Sequence, residues 1–333
     1  MTRIGINGFG RIGRNTLRAS LTRDSKLEVV GINDLSPPGT LAHLLKYDST
    51  LGRLARPVAV EDDHLVVDGT RIRVTSEKDP ARLPWAELGA DIVLESTGRF
   101  TKADAARAHL TAGARRVLVS APSDGADVTL AYGVNTGAYD PDRHVIVSNA
   151  SCTTNALAPL ASVLDDVAVI EHGFMTTVHA YTQEQNLQDG PHRDLRRARA
   201  AAVNIAPTTT GAAKAIGKVL PRLDGKLSGD SIRVPVPVGS LVELNTTVGR
   251  AVSRDELLTA YHVAAAGALE GILEYSDEPL VSSDITGNPA SAVFDAALTR
   301  VEGRHVKVVA WYDNEWGFAN RVIDTLELMA GIR

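Results

Sequence analysis

Only one cysteine, Cys152, occurs in the 333 residues. A lone thiol closes no internal disulfide, so an oxidised framework is excluded and a reducing, cytoplasmic setting is expected. The sequence also lacks any run approaching the ~18 apolar residues of a membrane span. Its opening apolar stretch reaches glycine within a few residues, without the apolar core of a secretory signal, so no membrane association is expected. An excess of positive charge is missing too, since 35 Lys and Arg against 40 Asp and Glu leave a net charge of −5. Nucleic acid is therefore not expected as a primary partner. The one basic run, His192 to Arg199, is short and lies amid acidic residues, as a solvated or subunit-facing segment would. No metal site, internal repeat or low-complexity tract is expected.

What is present is an ordinary globular composition, 44% apolar and 23% charged, in a chain longer than one core usually serves. Two domains are expected. In the first half, short apolar runs bounded by turn residues (Arg3 to Asn7, Leu27 to Asn33, Asp91 to Glu95, Arg115 to Ser120, His144 to Ser148) alternate with helical spacing at Arg11 to Leu21 and Lys102 to Ala112. That alternation predicts a parallel sheet with right-handed crossovers. Pro57 to Val74, with its Asp68-Gly69 pair, predicts a hairpin. In the second half, longer β-like runs (Ala168 to Thr182, Ser231 to Val236, Leu241 to Ala251, His305 to Asp313) are separated by helical stretches at Gly211 to Leu220 and Asp255 to Leu269. The fold class is thus α/β: an N-terminal Rossmann-type domain with a parallel sheet, then an α+β domain with a mostly antiparallel sheet. The expected division is 1–151 for the first domain and 152–314 for the second.

Directly after the first strand stands G-F-G-R-I-G, with Gly8, Gly10 and Gly13 running into a helical pattern. The first glycine permits a tight turn, the second lets backbone approach a pyrophosphate, and the third packs helix on strand. Glycine is common, so the motif alone is weak evidence. Asp34 strengthens it: it ends the second strand, 21 residues after Gly13, where a carboxylate accepts from a ribose diol and repels a 2′-phosphate. NAD is the expected cofactor.

Cys152 lies in S-N-A-S-C-T-T-N, a polar stretch before an apolar helical run from Ala156, which predicts a thiol at a helix N-terminus. The dipole and an imidazole partner would favour the thiolate there, whereas an unperturbed thiol near pKa 8.5 is only about 3% ionised at pH 7. A lone cysteine is more often a buried small hydrophobe, but hydroxyl-rich surroundings argue against that. Nine histidines compete as partner. His179, at the end of a predicted core strand, is the best placed.

Together, I-N-G-F-G-R-I-G-R, S-N-A-S-C-T-T-N, T-V-H-A-Y-T at 177–182, D-L-R-R-A-R-A-A at 194–201, P-T-T-T-G-A-A-K at 207–214, R-V-P at 233–235 and W-Y-D-N-E-W-G at 311–317 resemble the phosphorylating glyceraldehyde-3-phosphate dehydrogenases over essentially the whole length. The resemblance implies oxidation of glyceraldehyde 3-phosphate through a thioester on Cys152, with His179 as base, and release by inorganic phosphate. It implies a substrate-phosphate site at Thr182 and Arg233, with Arg197 adding to it. A site for attacking phosphate is implied at Ser151, Thr153, Thr210 and Gly211, with Arg233 close to both. Cofactor contacts are implied at Arg11, Ile12, Asn33, Asp34, Thr97, Ser120 and Asn314, together with the three glycines. It further implies a homotetramer, and a C-terminal helix, 315–333, returning to the cofactor domain.

Some positions depart from the family pattern. Gln183 and Glu184 replace the usual Asn and Asp after Thr182, Ala156 stands where a second cysteine is frequent, and Phe318 replaces a common tyrosine. Phe318-Ala319-Asn320 is reminiscent of erythrose-4-phosphate dehydrogenases, the enzymatic alternative; a catalytically silent binding protein is the other. The longer side chains at 183 and 184 suggest a variant with reduced sensitivity to bulky thiol-directed inhibitors.

Overall fold

A computed structural model describes residues 1–23 and 25–332. The contact pattern divides the chain into two units: Met1–Leu130 with Thr136–Ala150 and Ala319–Arg333, and Ala131–Asn135 with Ser151–Phe318. The division differs slightly from the expected one at residue 151, most clearly in the short loop 131–135. There Ala131 joins the second core and Gly133, at φ +86°, lies so close to Ile272 that a Cβ would approach its Cγ1 to 2.5 Å.

The first unit is built on a nine-stranded sheet. In chain order its main elements are β1 (Thr2–Asn7), α1 (Arg11–Thr22), β2 (Leu27–Asn33), α2 (Pro38–Lys46), β3 (Val58–Glu61), β4 (His64–Val67), β5 (Thr70–Thr75), β6 (Ile92–Glu95), β7 (Arg116–Val119), β8 (Val128–Thr129) and β9 (Ile146–Ser148). The strand order is β8-β9-β7-β6-β1-β2-β5-β4-β3. All pairs from β8 to β5 are parallel, and β5-β4 and β4-β3 are antiparallel. Every residue of β6 is buried, as a strand covered on both faces requires. Gly5 and Gly31, on neighbouring strands, leave room for the Trp85 indole, since a Cβ at Gly5 would lie 2.8 Å from the ring. The expected single hairpin is in fact two, because Asp62 (φ +52°) turns the chain as well as Asp68-Gly69 (φ +51° and +81°). The helix expected at 102–112 is two one-turn pieces, Ala103–Ala106 and Ala108–Thr111, joined at Arg107.

The second unit contains α3 (Cys152–Ala168), β10 (Ile170–Ala180), β11 (Ala206–Thr209), α4 (Ala212–Val219), β12 (Leu227–Val234), β13 (Ser240–Val248), α5 (Arg254–Ala265), β14 (Leu273–Ser276), β15 (Ala292–Asp295), β16 (Arg300–Glu302) and β17 (His305–Tyr312). Its sheet runs β11-β12-β10-β13-β17-β15-β14, with β16 also on β17. Only β10-β12 and β14-β15 are parallel, so the sheet is mostly antiparallel. Leu157, Leu160 and Leu164 of α3 share a core with Met175, Val242, Leu244 and Val308. Each fully buried side chain of this size contributes about 1.5–3 kcal/mol before entropy is counted. That packing fixes the N-terminus of α3 against the strand ends. The last helix, α6 (Trp316–Met329), enters the first unit from Ala319 on. There Thr325 Oγ1 donates to Asn149 Oδ1 at 2.7 Å, and Ser25 Oγ donates to Glu327 Oε1 at 2.7 Å.

Candidate active site

Cys152 owes its place to a bend in the backbone. β9 ends at Ser148 and Ala150 takes φ +54°, a left-handed conformation that costs a residue with a β-carbon about 1 kcal/mol. α3 then starts at Cys152, with Ser151 as its N-cap accepting from the Thr154 amide at 3.0 Å. His179 is contributed by the end of β10, and its Nε2 lies 3.4 Å from Cys152 Sγ. The parallel register of β10 and β12 sets Arg233 opposite His179. Arg233 Nη1 is 2.7 Å from His179 Nδ1 and donates to the Ala180 carbonyl at 3.0 Å.

The expected lowering of the thiol pKa is not what the structure shows. Burial pushes the Cys152 thiol up, and the Arg233 charge, the Thr153 hydroxyl and the backbone amides of Thr153 and Cys152 offset this only in part. Desolvation outweighs the helix terminus here. Burial first, and the Arg233 charge second, bring His179 down to about 3 against the pull of the Ala180 carbonyl. At neutral pH the pair is therefore a thiol and a neutral imidazole, and a neutral ring has a lone pair with which to take a proton.

Around this pair runs a directed chain of hydroxyls. Thr177 Oγ1 donates to the Leu241 carbonyl at 2.9 Å, so its only proton is engaged. Tyr312 Oη, 2.8 Å away, must then donate to Thr177, and Thr153 Oγ1 donates to Tyr312 Oη at 2.9 Å. The Tyr312 ring stands edge-on to His179 with centroids 5.9 Å apart. Neither Tyr312 nor Ser240 figures in the residue-level expectations, although Tyr312 lies inside the W-Y-D-N-E-W-G motif. Ser240 Oγ accepts from the Ala180 amide at 3.0 Å and donates to Asn314 Oδ1 at 2.9 Å, tying Asn314 to the strand that carries His179.

The expected phosphate contacts occupy different settings. Gly211 is the N-cap of α4 and supplies no side-chain acceptor, while Thr210 Oγ1 accepts from the Ala212 amide at 3.2 Å. Thr182 is half-buried, and its amide donates to Gln185 Oε1 at 3.3 Å. Arg197 is held by other groups: Glu184, Asp194 at 3.4 Å, and Thr208 Oγ1 at 2.8 Å. The extra methylene of Glu184 is thus accounted for by an ion pair, and Gln183 is exposed beside it.

In the first unit, Gly8 (φ +92°) and Gly13 are places where no side chain fits. A Cβ would lie 2.6 Å from the Thr97 nitrogen in the first case and 2.3 Å from the Gly8 carbonyl oxygen in the second. Gly10, the N-cap of α1, has open space where its Cβ would be and brings no side-chain cap to the amides of Arg11, Ile12 and Gly13. The result is a bare backbone cradle with the polarity for a diphosphate. The Arg11 side chain turns away to Asp48 and to Thr50 Oγ1 at 2.8 Å. Asp34 accepts from the Phe9 amide and from the Ser36 amide, each at 2.9 Å, one on either carboxylate oxygen, with lone pairs to spare. These residues fit a dinucleotide.

Beneath the cradle lies a buried network that sequence reasoning missed. Glu95 Oε1 accepts from the Thr97 hydroxyl at 2.5 Å and its amide at 2.8 Å; Oε2 accepts from Asn7 Nδ2 at 2.6 Å and lies 3.0 Å from His109 Nε2. Trp85 Nε1 donates to His109 Nδ1 at 3.0 Å, which leaves the imidazole proton on Nε2 to be donated to Glu95. Asn33 Nδ2 donates to Asn7 Oδ1 at 2.7 Å, so its side chain is a strut within this network. Ser120 Oγ donates to the Glu95 carbonyl at 3.0 Å. The residues involved are 88 and more positions apart in several pairs, and no local spacing signals them.

Comparison with known proteins bears on the same two units. The family described as glyceraldehyde 3-phosphate dehydrogenase, NAD binding domain, matches residues 2–103, and its C-terminal domain matches residues 151–314. A glyceraldehyde-3-phosphate dehydrogenase of Kitasatospora aureofaciens is 79% identical over 330 residues, covering 99% of both chains. Glyceraldehyde-3-phosphate dehydrogenase 1 of Streptomyces avermitilis is 58% identical over 329 residues, covering 99% of this chain and 98% of its own. A glyceraldehyde-3-phosphate dehydrogenase of Mycobacterium bovis is 55% identical over 333 residues, covering 98% of each.

Proposed function

The chain belongs to the glyceraldehyde-3-phosphate dehydrogenase family, and on that premise we propose how its residues carry the reaction. It is an NAD-dependent enzyme that oxidises D-glyceraldehyde 3-phosphate, with inorganic phosphate, to 1,3-bisphosphoglycerate. The observation that carries the assignment of roles is the 3.4 Å approach of Cys152 Sγ to His179 Nε2. His179 takes the thiol proton as sulfur attacks the aldehyde carbon, its Nε2–H with the Cys152 amide steadies the oxyanion, and the proton then passes to that oxygen, giving a hydroxyl and a neutral ring. The glycine cradle and Asp34 would hold NAD, whose nicotinamide would supply the hydride acceptor. His179 removes the hydroxyl proton as the carbon becomes a thioester. Phosphate then attacks the thioester carbonyl, the C–S bond breaks, and the thiolate recovers a proton from His179. Arg233 and Thr182 orient the substrate phosphate, while Ser151, Thr210 and Gly211 donate to the attacking one, with Thr153 beside them, its hydroxyl proton held by Tyr312.

A homotetramer in the cytoplasm is part of the proposal. Leu187, Leu195, Val203 and Ile205 are each 70% exposed or more within one short segment, which supports a self-associating face. Among the described residues no helix is long and apolar enough to cross a membrane. The wall formed by Gln183 and Glu184 is proposed to slow bulky electrophiles more than small ones.

The test is NADH formation with and without phosphate or arsenate. One equivalent per active thiol should form rapidly without either, and sustained turnover only with them. Steady oxidation of the aldehyde in their absence would overturn the phosphate roles.

A further inference from the structure

Glu95 is an anion sealed inside the first unit. Its contacts are all donors: the Thr97 amide and hydroxyl on Oε1, Asn7 Nδ2 and His109 Nε2 on Oε2. Trp85 Nε1 donates to His109 Nδ1, so that nitrogen carries no proton and the ring is neutral. A proton on the carboxylate would have no acceptor, and among the described residues no cationic side chain lies against it, so the charge is held by hydrogen bonds alone. Asn7 is fixed with its amide nitrogen toward Glu95, because its Oδ1 accepts from Asn33 Nδ2. Trp85, His109, Glu95 and Asn7 are buried and Thr97 is half-buried, so the network runs from the core to the surface at the ends of β1 and β6.

The surface end of that network presses on the glycine turn. A Cβ at Gly8 would lie 2.6 Å from the Thr97 nitrogen, so residue 97 stands directly against the turn. Ser96 Oγ donates to the Gly8 carbonyl at 2.7 Å, and that same oxygen would lie 2.3 Å from a Cβ on Gly13 in the first turn of α1. The Gly8 carbonyl is thus trapped between Ser96 and Gly13, and its peptide plane depends on where Ser96 and Thr97 stand. Glu95 sets their place. Of its donors, Thr97 is two residues away and Asn7 is its register partner on β1, so both move with the strand ends. His109 stands on the short helix Ala108–Thr111 and alone ties the carboxylate to a separate element.

We propose that His109 is a positioning residue for the cofactor: its donation to Glu95 anchors the carboxylate, which holds Thr97 and Ser96 against Gly8 and so shapes the cradle for the diphosphate of an adenine dinucleotide. Without that donor, Oε2 keeps only Asn7, the carboxylate turns to share the donors that remain, and the grip on Thr97 loosens. A ligand that has no diphosphate makes no use of the cradle and does not sense the change.

Calorimetry on the NAD-free full-length protein compares ADP-ribose, which carries the diphosphate, with adenosine, which does not. In His109→Phe, which keeps a planar ring and removes the donor, the dissociation constant for ADP-ribose should rise about tenfold, the equivalent of one hydrogen bond to a charged group, while that for adenosine changes by less than about twofold. His109→Gln has an amide that can donate to Glu95 and accept from Trp85, and it should bind ADP-ribose within about threefold of wild type. Hydrogen exchange at residues 96 and 97 of the ligand-free protein should quicken in His109→Phe and not in His109→Gln. Both variants disturb the same buried position and both should lower the Tm, so a purely structural role predicts loss of stability with no split between the two ligands. Should His109→Phe not fold, Thr97→Val removes another donor to the same carboxylate at a half-buried position, and it should quicken exchange at residue 96 and split the ligands in the same way. ADP-ribose affinity within about twofold of wild type in the variant that lacks the donor, equal losses for both ligands, or a Gln variant as weak as the Phe one would overturn the proposal. Cys152 and His179 take no part in these measurements, so such a result would leave the proposed reaction standing.

Discussion

Acid should destabilise this protein measurably through one ring. His179 falls from the ordinary 6.5 to about 3 because it is buried and faces Arg233. In the unfolded chain the imidazole takes up a proton below about pH 6.5, whereas the folded chain keeps it neutral until about pH 3. The unfolded state thus binds more protons throughout that window, and stability is lost as pH falls through it. At 1.36 kcal/mol per pH unit below the unfolded value, the loss is about 2 kcal/mol between pH 8 and pH 5. Urea denaturation of wild type and His179→Gln at both pH values measures it, because glutamine keeps a polar side chain that does not titrate. Protomer concentration is held fixed, since self-association would otherwise move the midpoint. Wild type should lose about 2 kcal/mol more than the variant over that interval. Parallel losses, within about 0.5 kcal/mol, would refute the account of why the ring is neutral.

Cys152→Ser should bind NAD normally and lose nearly all turnover, because a serine hydroxyl is far less acidic than a thiol and yields its proton to His179 much less readily; activity above a few per cent would sink the thioester route. Asp34→Ala should narrow the preference for NAD over NADP and loosen the glycine turn through the lost Phe9 contact, read as the ratio of kcat/KM values; an unchanged ratio would remove Asp34 from cofactor choice. Glu95→Gln sets an amide donor among the four donors that now meet the carboxylate, which should lower stability by about 2 kcal/mol and weaken NAD binding through Thr97. Calorimetry that finds NAD affinity unchanged while the Tm falls would restrict Glu95 to a structural role.

Much of the fold was legible because its signals are local. Apolar runs between turn residues place β1, β2, β6, β7 and β9, and the contrast between alternating βα units and long bare runs separates a parallel sheet from a mostly antiparallel one. Boundaries were less legible. The run from 168 begins as a strand only at Ile170, because α3 continues through Ala168, and the 102–112 helix breaks at Arg107. The Asp62 turn was missed, since aspartate in a left-handed conformation carries a weaker signal than Asp-Gly.

By itself, the sequence determined the cradle and the thiol's setting: glycines where no Cβ fits, an acid at the end of β2, and a cysteine at the start of an apolar helix. These follow from neighbours in the chain. Strand position and resemblance favoured His179 among nine histidines, but only the tertiary structure brought its ring to the thiol, because the approach of β10 to the first turn of α3 depends on how a helix packs on a sheet. It also decided the protonation states. Helix position and motif argued for an ionised thiol, but burial, set by the whole core around it, raised the thiol and lowered the imidazole instead. Desolvation sums over every neighbour in space, and spacing along a chain does not hold that sum.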